Sequence, residues 1–165
     1  MVYRMTDKVS IALNTIDETY SELMSVANDI FIRTTMDVDE LMRSAYNDIE
    51  NMSNDLIRSV MLKLSLRSYT FSEIKEKSAF KASLSKTIRE EAYAKLFNSS
   101  EGTVANRENT ATIGVSAEIL AEEIYTLVSN MLKTKLDELH RVVSTLQTIL
   151  MTRIQEAKLT SVDIQ

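Results

Sequence analysis

The sequence predicts an all-α fold built from long helices, and three observations carry this prediction. The chain of 165 residues contains no proline and two glycines, Gly102 and Gly114. Average usage would supply about eight prolines and about twelve glycines, and these residues are the main markers of turns. Apolar residues recur in alternating steps of four and three, which is the repeat of a coiled coil. Hydrophobic residues form 44% of the chain, which is too many for a disordered protein.

Four helical segments are expected, at about residues 6–31, from 37 to an end between 64 and 69, 70–97 and 103–159. The second and third segments each begin at a pattern that resembles a capping box, with an acid three residues after the cap. The loop before the fourth segment ends at Gly102, a typical helix terminator. The predicted architecture is a long helical hairpin with coiled-coil seams, preceded by two N-terminal helices. We expect an acidic helical pair at 1–69 and the hairpin at 70–165, forming one continuous helical body.

The 4–3 repeats predict self-association, because a long helix cannot bury an apolar stripe alone. One seam lies in the first segment and another in the distal half of the fourth. The predicted oligomerisation seam consists of Val9, Leu13, Ile16, Leu23, Leu132, Leu136, Leu139, Val143, Leu146 and Leu150.

The net charge of −5 is unevenly distributed. Residues 1–57 hold 4 basic and 11 acidic side chains, residues 58–107 hold 10 and 5, and residues 108–165 hold 5 and 8. This asymmetry indicates either a surface for an anionic partner or segments of opposite sign that face each other in an oligomer.

Groups that carry chemistry are scarce. The chain has no cysteine, so disulfides and thiolate metal sites are excluded. His140 lies three residues after Asp137, a spacing that can bind a metal, but a di-iron bundle needs two carboxylate–histidine pairs. Glu118 and Glu122 are expected on a solvated helix face. We therefore expect a protein that is not an enzyme, with no catalytic residues, no metal and no cofactor.

The expected location is the cytoplasm, or the host cytoplasm for a phage protein. No segment approaches 18 uncharged apolar residues, and no apolar region of a signal peptide follows the first residues. The absence of cysteine fits a reducing compartment. No membrane partner is expected.

Basic residues are concentrated in the middle of the chain, with Tyr69, Phe71 and Phe80 among them. Basic side chains neutralise phosphates and aromatic rings stack unpaired bases, so this composition indicates a surface for single-stranded nucleic acid. The lysines of the third segment do not share one face, and Phe80 is expected in the core. The candidate contacts in this stretch are Arg58, Lys63, Arg67, Lys75, Lys77, Lys81, Lys86 and Arg89.

Residues 77–155 resemble the helical hairpin of the phage recombination mediators, small proteins that load a recombinase onto single-stranded DNA. The resemblance rests on the run from Ala92 to Phe97, the loop with Gly102, the segment from Thr103 to Glu108, and the long helix with Tyr125 and Leu132. It implies oligomeric rings that bind single-stranded DNA and a recombinase-type partner. It also implies phosphate contacts at Lys77, Lys81, Lys86, Arg89, Lys95 and Arg107.

Three functional hypotheses follow. The first is a DNA-binding recombination accessory protein, based on the basic stretch and the resemblance. The second is a structural subunit of a virion or filament, based on the coiled-coil seams. The third is a small phage-encoded inhibitor that uses its acidic helices, at residues 1–57, to occupy a basic site on another protein.

Overall fold

Four helices form the chain in the computed structural model, which describes the backbone of residues 3–162 and the side chains of residues 17–160. They are α1 (Tyr3–Asp48), α2 (Asn54–Ser99), α3 (Val104–Gly114) and α4 (Ser116–Val162). No strand occurs among residues 3–162. The all-α prediction is therefore confirmed.

Two predicted helix boundaries are wrong. α1 runs through Asp37, and α2 runs through Thr70 without interruption. Asp37 does not cap a helix but forms an ion pair with Arg67 of α2. Phe71, inside the second apparent capping box, is buried in the core. The polar residues of both patterns therefore occupy mid-helix positions, where packing against neighbouring helices keeps the helix continuous.

The connection between α1 and α2 occupies residues 49–53. Ser53 starts α2, because its hydroxyl accepts a hydrogen bond from the backbone N–H of Leu56 at 3.2 Å. Arg153 of α4 closes the other side of the connection. Its guanidinium donates to the backbone carbonyls of Met52 at 2.6 Å, Ile49 at 2.8 Å and Glu50 at 3.2 Å. A cation bonded to carbonyls that follow the last turn of α1 is favoured by the helix dipole.

The end of α2 lies close to the predicted position. α2 ends at Ser99, and Gly102 adopts a φ of 104°, a value that side chains disfavour. Thr103 then caps α3, accepting a hydrogen bond from the N–H of Asn106 at 3.4 Å. The fourth predicted segment is divided, because α3 ends at Gly114 and α4 begins at Ser116.

The helices contribute to two compact units, which are described separately. Unit 1 comprises residues 1–31 and 76–130, and unit 2 comprises residues 32–75 and 131–165. Each unit contains residues from both of the predicted ranges, 1–69 and 70–165. The division of the chain into those two ranges remains a prediction.

Unit 2 holds a continuous hydrophobic core. α1 and α4 are parallel here, since Asp39 pairs with Lys135 and, further along both helices, Ile49 bonds to Arg153. α2 is antiparallel to α1, because a short turn joins them. The core residues are Val38, Met42, Ala45, Met52, Ile57, Val60, Leu64, Phe71, Leu136, Leu139, Leu146 and Leu150.

Unit 1 buries smaller side chains. Among its described side chains, the buried apolar ones are Ala27, Ala111, Val115 and Val128, and Ser78 is also buried. Gly114 lies against α2, where an added Cβ would approach the Cδ1 atom of Leu96 to 2.5 Å. Small residues thus let the helices of unit 1 approach closely, but they bury little apolar surface.

Replacing Arg153 tests the connection in unit 2. We expect Arg153→Ala to lower the free energy of unfolding by about 2 kcal/mol, because hydrogen bonds from a charged group contribute more than neutral ones. The measurement is urea denaturation followed by circular dichroism. Arg141→Ala is the matched control, since Arg141 is exposed and bonds only to the carbonyl of Asp137 in its own helix. Equal losses in the two variants would contradict the role assigned to Arg153.

Candidate interaction surfaces

The predicted oligomerisation seam of α4 is an intrachain core. Leu132, Leu136, Leu139, Leu146 and Leu150 are buried within one chain, and Val143 packs against the core of unit 2. Side chains that are already covered are not available to a second copy. Leu23 is half-buried in unit 1, whereas the side chains of Val9, Leu13 and Ile16 lie outside the described residues. Any oligomer therefore requires a surface other than the α4 seam.

In unit 2, two of the predicted nucleic-acid contacts are engaged within the chain. Arg58 pairs with Asp55 at 2.9 Å, and Arg67 pairs with Asp37. Both arginines are about half exposed, so these pairs contribute little to stability. Lys63 is exposed and Lys75 is half-buried.

In unit 1, three more predicted contacts face partners in the chain. Arg89 pairs with Glu122 at 3.3 Å. The ammonium of Lys81 lies 5.0 Å from the ring centre of Tyr125. Arg107 lies over the ring of Phe97 at 4.3 Å and donates to its backbone carbonyl at 2.9 Å. Arg107 thereby caps the end of α2, because that carbonyl lies in the last turn of the helix.

Lys77, Lys86 and Lys95 are exposed on the unit 1 part of α2. They do not form one basic face: nine residues separate Lys86 from Lys95, and at 3.6 residues per turn they lie on opposite sides of the helix. The structure thus does not gather the predicted contacts into one basic groove.

The carboxylates of Glu118 and Glu122 are not on a solvated face, so that prediction is wrong. An Oε2 atom of each is buried, and neither atom accepts a hydrogen bond. The Oε2 of Glu122 is nevertheless 3.3 Å from the guanidinium of Arg89, close enough for ionic attraction. Antiparallel packing of α2 on α4 covers these positions.

His140 is exposed at the edge of a small cavity of about 200 Å³ beside Ser65 and Ser68. Among the described residues, no cluster of three or more histidine or acidic side chains could hold a metal ion. No described helix is long and apolar enough to cross a membrane.

Unit 2 also contains an open groove between α1 and α4, with a volume of about 920 Å³. Its apolar floor includes Met42, Ala45, Val142, Leu146 and Ile149.

Three charged side chains meet at one end of this groove. Lys135 bonds to Glu138 at 2.7 Å and pairs with Asp39. Burial disfavours the charge on Lys135, but the hydrogen bonds and charges of Asp39 and Glu138 together outweigh burial and raise the pKa of Lys135 above its usual value. The ammonium is therefore charged at neutral pH and links α4 to α1.

Large apolar side chains lie on the solvent side of α2 in each unit, and we call the two groups together the outward stripe. Its members are Leu62 (62% exposed), Leu66 (58%) and Tyr69 (76%) in unit 2, and Phe80 (69%), Leu84 (46%) and Ile88 (47%) in unit 1. The prediction that Phe80 belongs to the core is wrong, since the buried side of α2 at this level carries Ser78.

The unit 1 part of the outward stripe has a signal in the sequence. Phe80, Leu84 and Ile88 recur at intervals of four residues, so they lie on one face of a helix. The same spacing predicts that Phe80 is in the core, because spacing identifies an apolar face but does not show whether another helix covers it.

Comparison of the chain with protein-family models, with curated proteins and with solved structures gives no match. The resemblance to the recombination mediators therefore stays a prediction.

Replacing Lys135 tests the link between α1 and α4. We expect Lys135→Ala to lower the free energy of unfolding by about 1–2 kcal/mol at neutral pH, since both carboxylates lose their cation. Because the pKa of Lys135 is raised above 10.5, the contribution is fully present below that pH. It is lost as the pH rises through the higher pKa. Denaturation of both proteins across this range measures the difference.

The control is Lys133→Ala, which removes an exposed lysine from the same helix. A difference between wild type and Lys135→Ala that stayed constant to the highest pH would contradict the assignment.

Proposed function

We propose that this chain is a non-enzymatic helical subunit that works by associating with further copies of itself. The observation that carries the proposal is the outward stripe, which exposes three large apolar side chains on one face of α2 in unit 2 and three in unit 1. Exposed apolar residues scattered singly are normal on protein surfaces. Apolar residues that cluster on one exposed face mark an interaction site, and each of the two groups of the stripe is such a cluster.

The energetics favour a contact that covers the stripe in both copies. Full burial of a large apolar side chain contributes about 1.5–3 kcal/mol. Where about half of the surface of a stripe side chain is exposed, covering that half contributes roughly 1 kcal/mol. Association costs about 4–15 kcal/mol in lost freedom of motion. Several stripe residues from each copy are therefore needed, and the expected contact is of moderate affinity.

The structural-subunit hypothesis fits this surface better than the inhibitor hypothesis. Acidic residues of α1 and the start of α2 already engage basic residues within the chain, as Asp37 does with Arg67 and Asp55 with Arg58. The acidic segment is thus partly neutralised in the folded chain.

Sedimentation velocity over a wide range of protein concentration tests self-association. We expect the mass to rise above the monomer value of 18.7 kDa as concentration increases. The association should persist in about 1 M salt, because ionic contacts between exposed groups are screened there and apolar contacts are not. A mass of 18.7 kDa at every concentration would refute the proposed function.

Single-stranded DNA binding is the second candidate function. It is supported by two strongly exposed aromatic rings, Tyr69 and Phe80, on a helix that also carries the exposed Lys63 and Lys77. An exposed ring stacks on unpaired bases, and nearby lysines neutralise the backbone. The resemblance to the recombination mediators points to the same ligand, with a recombinase-type protein as the further partner.

Fluorescence anisotropy of labelled single-stranded DNA tests this candidate. Binding is expected to weaken steeply with salt, and Phe80→Ala should reduce it about tenfold, since stacking contributes roughly 1–3 kcal/mol per base. Ile113→Ala, which removes an exposed apolar residue of α3, is the control. Absence of binding at low salt would exclude the candidate together with the resemblance.

A further inference from the structure

The unit 1 part of the outward stripe consists of three residues at intervals of four, Phe80, Leu84 and Ile88. Side chains four apart are neighbours on one helix face. All three are exposed, while Ser78 on the other side of α2 is buried. The three residues therefore form an apolar strip that no described side chain of unit 1 covers.

Charged residues flank this strip with opposite signs. Lys77 lies seven residues before Leu84 and Glu91 lies seven residues after it, and both are exposed. Seven residues make almost two turns, so both charges lie on the face of the strip.

We propose that the occupant of this strip is the same strip of a second copy, with the two α2 helices antiparallel and related by a two-fold axis at Leu84. In this register Leu84 faces Leu84, and Phe80 faces Ile88 of the second copy. Lys77 faces Glu91 of the second copy, and the symmetry repeats both contacts. The proposal names the contact surface for the self-association described above, and it rests on that proposed function.

The charges disfavour the parallel arrangement in register. Two parallel helices in register would place Lys77 against Lys77 and Glu91 against Glu91, and like charges across an interface are unfavourable. The antiparallel arrangement converts each of these contacts into an attractive one.

The positions on the face that carries the strip recur every eleven residues. The pairs at this spacing are Lys77 and Ile88, Phe80 and Glu91, and Leu84 and Lys95. An eleven-residue repeat corresponds to 3.67 residues per turn, close to that of a straight α-helix. The two helices can therefore remain in contact along the strip without strong supercoiling.

A single introduced cysteine tests the axis, because the natural chain has none. In Leu84→Cys, the two-fold axis brings each thiol opposite its copy, and a disulfide requires Cα atoms about 4.4–6.8 Å apart. We expect mild oxidation, at a protein concentration at which the wild type associates, to give a covalent dimer on non-reducing gels. Lys86→Cys, whose position points away from the strip, is the matched control and should remain monomeric. Equal cross-linking in both variants would overturn the proposed axis.

Exchange of charges tests the register. Each single variant, Lys77→Glu or Glu91→Lys, places like charges across the contact. Each should therefore raise the dissociation constant of the dimer about tenfold. The double variant Lys77→Glu/Glu91→Lys restores opposite charges and should recover the wild-type constant. Circular dichroism checks that each variant keeps its helices.

The results separate the failure of this inference from the failure of the proposed function. A wild-type chain that stays monomeric refutes both. If the wild type is oligomeric but Leu84→Lys still associates, only the antiparallel contact is refuted. The same holds if association falls in both single charge variants and does not recover in the double variant. If Leu66→Lys abolishes association and Leu84→Lys leaves it unchanged, the contact lies in the unit 2 part of the stripe instead.

Discussion

Packing of the α4 leucines against α1 and α2 is the interaction on which unit 2 depends. Leu139, for example, is completely buried, and it joins a core that runs from Val38 of α1 to Leu150 of α4. The heptad spacing of these leucines reflects helices of one chain packing together. Since this face is used internally, surfaces for other molecules must lie elsewhere, and the outward stripe of α2 is one apolar surface that stays exposed.

Charges on the chain show the same internal complementarity. The acidic first third and the basic middle segment contact each other through Asp37 and Arg67, and the basic segment contacts the acidic last third through Arg89 and Glu122. The alternative that segments of opposite sign face each other is thus realised within a single chain. Charge asymmetry along a sequence is consequently weak evidence for an anionic partner, because it can be neutralised by folding.

The helical class and the end of α2 could be predicted, since the scarcity of glycine and proline and the position of Gly102 are local signals. The continuity of α1 through Asp37 and of α2 through Thr70 could not, because a capping pattern does not reveal whether a neighbouring helix packs there. Phe71 is buried and Phe80 is exposed, although both are phenylalanines on α2. Residue type alone therefore does not show which of them another helix covers. The spacing of Phe80, Leu84 and Ile88 identified an apolar face, but it could not show that this face is exposed.

The central claim is that the α4 seam is internal and the outward stripe is the associating surface. Hydroxyl-radical footprinting at low and high protein concentration compares the two directly. The account predicts that Phe80, Leu84 and Ile88 are labelled in dilute protein and protected in concentrated protein, while Leu132 and Leu139 are protected in both. Labelling of Leu132 and Leu139 in dilute protein, with Phe80 unchanged between the two concentrations, would contradict it and identify the α4 seam as the contact between copies.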